Sequence, residues 1–220
     1  MINKRVLLLC GHYGSGKTNI AVNLAQQIKR EYPTVTLADL DIVNPYFRSK
    51  DSAPELEEAG IRLICSRYAN SNVDIPALPP DLYALTDDRQ MRAIIDVGGD
   101  DRGALVLGRL SPAILLENDY EMMMVINCYR PLTRDAASTL EVMREIETAG
   151  GIRFTALINN SNLGVETTAE DVLASVQYAE EVAAMSNLPL VMTTADERLQ
   201  DELEGKIPNL FPFKLQKKIQ

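Results

Sequence analysis

The chain has no cysteine pair to build on. Cys10, Cys65 and Cys128 lie far apart and form no CxxC spacing, which excludes a disulfide framework and an iron–sulfur cluster held within one chain. They read instead as buried strand residues kept reduced, which points to the cytoplasm. There is no cluster of Lys or Arg either. A net charge of −9 and a pI of about 4.7 exclude binding to nucleic acid by simple phosphate neutralisation. Lys214, Lys217 and Lys218 near the end read as a solvated face. No apolar stretch reaches the length of a membrane span. The run before Gly11 is too short for a signal peptide and leads straight into a glycine loop. Linkers, repeats and low-complexity tracts are missing too. With 220 residues, 46% hydrophobic and 24% charged, the expectation is one α/β domain over residues 1–220.

What is present is alternation. Continuous apolar runs near 5–10, 34–38, 61–65, 92–96, 122–127, 152–158 and 188–192 predict a mostly parallel sheet of about seven strands, covered on both faces. Helical spacing near 17–30, 101–118, 133–149, 166–186 and 195–203 supplies the two outer layers. Gly150-Gly151 ends one helix, and Thr167 or Thr168 followed by Glu170 and Asp171 starts the next. Tyr68 to Leu85, with three prolines, is the least regular segment. It reads as a loop over the sheet edge or the lining of a substrate pocket.

In a doubly wound sheet, ligands bind at the carboxyl ends of the strands. The first strand ends in Gly11-His12-Tyr13-Gly14-Ser15-Gly16-Lys17-Thr18, which fits the phosphate-binding pattern G-x-x-x-x-G-K-[ST] at every fixed position. Glycines let successive N–H groups point inward at an anion, and the helix beginning near Lys17 adds its positive end. The segment Gly11 to Asn19 is therefore the expected nucleotide cradle. Lys17 reaches the outer phosphates, and the Thr18 hydroxyl holds Mg²⁺. His12, the one histidine, lies inside the loop, where its backbone N–H is the useful part.

Other strand ends carry compatible groups. Asp39 and Asp41, two residues apart, point the same way if the second strand runs through them. Asp41 would orient the attacking water and touch the metal, and Asp39 would support it. An ordinary turn with solvated acids is the other reading. Ala93-Ile94-Ile95-Asp96-Val97-Gly98-Gly99 has the Walker B form. Asp96 would bind Mg²⁺ through water, and the Gly99 N–H would sense the terminal phosphate. Asp100 and Asp101 read as catalytic acids or as a helix cap. Arg130 either approaches phosphate or a neighbouring subunit, or sits on the surface. Asn159 either meets the base edge or belongs to an Asn-rich turn. No acid follows in an N-K-x-D arrangement, which favours adenine over guanine.

Taken together, GHYGSGKTN, DLDIVNPYFR and DVGGDDRGA resemble the MinD/ParA/CobQ-type ATPases, the deviant P-loop group of the SIMIBI class. The resemblance implies a three-layer P-loop NTPase fold. It also implies a Mg²⁺-dependent ATPase that switches a protein partner and forms a homodimer with ATP. His12 stands where that family usually has a Lys reaching into the partner, and Arg48, Arg102 and Arg130 are the candidates to supply the charge. The acidic pI disfavours the DNA-binding branch. The tail Leu210 to Leu215 is short and broken by Pro212, unlike a membrane anchor. The metal-cluster carriers need the missing CxxC. A small-molecule kinase or ligase of the dethiobiotin synthetase or cobyrinate amidotransferase type is the alternative, and a nucleotide binder that never hydrolyses is the third.

Overall fold

The computed structural model describes residues 3–40, 52–65, 80–99 and 101–216. The strands are β1 (Val6–Cys10), β2 (Val35–Asp39), β3 (Arg62–Cys65), β4 (Arg92–Asp96), β5 (Tyr120–Ile126), β6 (Ala156–Asn159), β7 (Leu190–Asp196) and β8 (Leu210–Phe213). The helices are α1 (Lys17–Lys29), α2 (Ala53–Glu58), α3 (Pro80–Asp87), α4 (Asp101–Glu117), α5 (Ala136–Gly150), α6 (Ala169–Ser186) and α7 (Gln200–Leu203). All eight strands form one sheet in the order β3-β2-β4-β1-β5-β6-β7-β8. Every pairing is parallel.

The sequence explains why both faces are covered. Along β1, Val6, Leu8 and Cys10 enter one core cluster, with Leu107 and Leu110 of α4 and Met143 of α5. Leu7 and Leu9 enter the other, with Ile20, Leu24 and Ala25 of α1. A strand's two-residue period delivers the same apolar run to opposite faces, so a central strand needs apolar residues at every position. Helix ends follow the capping chemistry. Thr168 and Asp171 form a reciprocal capping box at the start of α6, and Gly151, at φ 64°, closes α5.

Four expectations need correction. The expected sheet of about seven strands has eight among the described residues, because the proline-broken tail adds β8. Pro212 is tolerated because β8 is an edge strand, where its missing N–H faces no further neighbour. The helix expected from 133 begins at Ala136, because Pro131–Thr133 form a single 3₁₀ turn and the Asp135 carboxylate caps Ser138 N–H at 2.8 Å. The helix expected from 195 begins at Gln200, since β7 runs on to Asp196. Pro80–Asp87 is helical, starting on a proline as a first turn permits; residues 68–79 of that irregular segment lie outside the described residues. Among the described residues, no helix is long and apolar enough to cross a membrane.

Two polar ties hold the ends of the molecule. At the amino ends of the strands, buried Arg5 ion-pairs with Glu117 of α4. It also donates to the carbonyls of Leu85 (3.0 Å), Asp88 (3.1 Å) and Met91 (3.1 Å). Beyond β8, the chain lies along α1. Asn23 exchanges two 3.0 Å hydrogen bonds with the Lys214 backbone, and Asn19 accepts from Gln216 N–H at 2.9 Å.

Candidate functional site

The glycine loop joins β1 to α1 at the carboxyl end of the sheet. The chain crosses from β1 to β2 on one side, while β5 flanks β1 on the other. The loop therefore sits where strand order reverses, the crevice such sheets offer to ligands. Gly16, at φ 90°, occupies the N-cap of α1. A Cβ there would stand 2.1 Å from the Asn160 amide nitrogen, so only glycine fits. A Cβ on Gly99 would stand 2.7 Å from the Gly11 carbonyl and 2.8 Å from Tyr13 N. The Walker B glycine thus lets the end of β4 press against the loop backbone.

Lys17 is 4% exposed, and its ammonium donates to the carbonyls of Gly11 (3.1 Å) and His12 (3.4 Å). No carboxylate among the described residues lies within ion-pair distance of it. A buried cation held only by neutral dipoles is poised for an anion. The Ser15 hydroxyl, fully buried in the same loop, finds no hydrogen-bond partner among the described residues. These two observations fit a phosphate chain.

Beside the loop lies a group of oxygen donors. The Thr18 hydroxyl donates to Asp96 Oδ2 at 2.6 Å, and Asp96 is fully buried. Asp39 lies opposite Asp96 in the β2–β4 ladder and is buried. Leu40 N–H bonds the Asp96 carbonyl at 2.8 Å. Two carboxylates and a hydroxyl are hard oxygen donors of the kind Mg²⁺ takes, with phosphate and water filling the remaining positions. Cys10 lies close to Lys17 and Asp96, but burial pushes its thiol far above the ordinary range, so it stays protonated and inert.

Asp41, Arg48 and Asp100 lie outside the described residues. α4 begins at Asp101. His12 turns Nδ1 to the carbonyl of Tyr13 at 3.0 Å, and Tyr13 is exposed. The Asn19 side chain is taken up by the tail rather than by the loop.

The two adjacent asparagines are placed differently. Asn159 is buried, donating to Ser175 Oγ at 2.9 Å and accepting from Ser161 N–H at 3.2 Å, so its amide is committed inside the protein. Asn160 reaches the loop instead. Its amide donates to the Ser15 carbonyl at 2.6 Å and accepts from the Thr194 hydroxyl at 2.6 Å, tying β6 and β7 to the glycine loop. Sequence reasoning missed this clamp, and the adjacent pair Asn159-Asn160 was its one signal. Asn160→Ala takes the amide donor from the buried Ser15 carbonyl and leaves the Thr194 hydroxyl only its longer 3.3 Å bond to the Asn159 carbonyl. It is expected to lose about 1–3 kcal/mol in urea unfolding; a loss below about 0.5 kcal/mol would mean the clamp holds nothing.

No protein-family model matches the chain, and no curated protein matches it. Solved structures do. The chain is similar to cell division protein FtsY from Thermotoga maritima at 18% identity and a TM-score of 0.62, covering 90% of this chain and 64% of that one. It is also similar to the signal recognition particle receptor FtsY from Elizabethkingia anophelis in complex with GDP, at 18% identity and a TM-score of 0.51, covering 91% and 60%. A third likeness is to the signal recognition particle 54 kDa protein from Aeropyrum pernix K1 in complex with GDP, at 19% identity and a TM-score of 0.50, covering 86% and 41%. The chain spans less than two thirds of the length of each. The likeness shows the fold, an α/β P-loop NTPase fold with a parallel sheet. These structures do not confirm the MinD/ParA-type resemblance.

Proposed function

We propose that the chain is a Mg²⁺-dependent nucleoside-triphosphate switch. The observation that carries this reading is the buried Lys17 ammonium, held by two carbonyls and no carboxylate among the described residues, beside the Thr18–Asp96 pair. Lys17 and the loop N–H groups bind the phosphate chain. Thr18 and Asp96 hold the metal, with Asp39 behind them and Asp41 orienting the attacking water. When bound, Mg²⁺ neutralises charge on the phosphates. The protein's share of the chemistry is positioning and charge.

The base is adenine on the absence of an N-K-x-D acid, and guanine by analogy with two neighbours whose structures contain GDP. Displacement of one labelled nucleotide by ATP and by GTP decides between them. In keeping with the MinD/ParA resemblance, the triphosphate brings two chains together and presents the pair to a protein partner. Asp41→Ala is expected to keep equilibrium binding while losing phosphate release, so that a triphosphate-dependent dimer persists on size exclusion with light scattering. Phosphate release at the wild-type rate would remove Asp41 from the mechanism. Saturable stimulation of hydrolysis by one small carboxylic acid, without dimerisation, would favour the kinase or ligase class.

A further inference from the structure

We propose that Arg130 is the second cation of the nucleotide site, supplied in cis from the end of β5 and acting on the phosphate chain beside Lys17. This rests on the nucleotide-binding reading above. Three observations carry it. The first is contact with the loop: Arg130 Nε donates to the Gly14 carbonyl at 2.9 Å. Its Nε and Cζ lie 3.3 and 3.5 Å from where a Cβ on Gly14 would stand, so the guanidinium lies against the middle of the loop.

The second is unspent charge. One nitrogen serves Gly14, and no carboxylate among the described residues pairs with the group. An Arg needed only to hold one carbonyl would not require a fork of further donors. A guanidinium presents those donors in the geometry that matches phosphate oxygens.

The third is a fixed mount. Buried Asn127 accepts from Tyr129 N–H at 3.0 Å through its side chain. Its carbonyl accepts from Arg130 N–H at 3.2 Å and from the Thr133 hydroxyl at 2.7 Å. Thr133 N–H returns to the Arg130 carbonyl at 3.1 Å, and Pro131 fixes the turn. With its backbone already ordered, only the side chain has freedom to lose when it engages a ligand.

The charge is also needed. A triphosphate remains negative with Mg²⁺ bound, and it would enter a site flanked by the carboxylates of Asp39 and Asp96. Lys17 is the only Lys or Arg of the loop itself. Arg130 brings a second positive group from a neighbouring strand end.

Arg130→Gln and Arg130→Lys separate this role from a purely structural one. Both side chains can donate to the Gly14 carbonyl, but only Lys keeps the charge. Binding is measured by fluorescence with mant-ATP and mant-GTP, with inorganic tripolyphosphate as competitor and thermal unfolding without ligand as the folding control. Arg130→Gln is expected to weaken triphosphate and tripolyphosphate about tenfold or more, with Arg130→Lys at least about fivefold tighter than Gln. A smaller difference between the two variants, at whatever affinity, overturns the proposal and leaves Arg130 as a support for the loop. Wild-type chain that binds neither nucleotide overturns the switch reading and this inference together; wild-type binding without the Lys–Gln contrast overturns this inference alone.

Discussion

Lys17→Ala is expected to weaken nucleotide binding by about a hundredfold or more while leaving the chain folded. Each charge-assisted hydrogen bond contributes about 1.5–3 kcal/mol, and a lysine spanning two phosphates makes more than one. The effect on stability has the opposite character. Among the described residues, the ammonium is held by the Gly11 and His12 carbonyls and no carboxylate. Removing it relieves the cost of burying a charge while leaving those two acceptors less well satisfied, so the two effects oppose each other. The paired measurement is a fluorescent-nucleotide titration beside urea unfolding of the ligand-free protein. Affinity within about threefold of wild type, on a folded variant, would sink the assignment of this loop as the phosphate site. A variant that is much less stable would instead mark Lys17 as part of the loop's own framework.

The second large effect lies at the other end of the sheet. Arg5→Met is expected to destabilise the protein by about 2–4 kcal/mol, because it strands a half-buried carboxylate and removes the donor from three backbone carbonyls. Glu117→Gln leaves those three carbonyls served and should lose less. The pair also sets an acid limit. The hydrogen bond from Arg5 holds the Glu117 carboxyl below its ordinary range, outweighing the opposing effect of burial. A carboxylate with a depressed folded pKa adds stability that is fully present above its unfolded pKa and is lost as pH falls through the folded one. Wild type should therefore lose stability on acidification below the ordinary carboxylate range, and Glu117→Gln should lose less over the same interval. Equal pH slopes for the two proteins would show that the pair does not carry the acid sensitivity.

Much of the site could be read directly from the chain. A strand, the glycine loop and Lys17 are contiguous, and local chemistry alone is enough to propose them as a phosphate cradle. Asp96 was legible because an apolar strand ending in an acid and two glycines is itself a local pattern. Arg130 was visible only as one of three candidate cations. Its contact with Gly14 spans 116 positions of sequence and depends on β5 pairing next to β1.

The asparagines show where local reading stops. Side chains alternate along a strand, so Asn159 and Asn160 must face opposite ways, but the sequence does not say which way either one points. That is set by the register Ile126↔Asn159 with β5, which turns Asn159 toward α6 and Asn160 toward the loop and β7. β8 was hidden for a related reason. Pro212 breaks the local strand signal, and it becomes acceptable only once β7 is the sole neighbour.

The sequence by itself determined the alternation of strands and helices, the two-faced core of β1, the helix caps and the phosphate loop, because each depends on residues within a few positions of one another. Only the tertiary structure decided the strand order, the eighth strand, the Asn160 clamp, the Arg5 tie and the approach of Arg130 to Gly14. Those depend on which strand ends become neighbours, and that is fixed by packing across the whole sheet rather than by any segment of it.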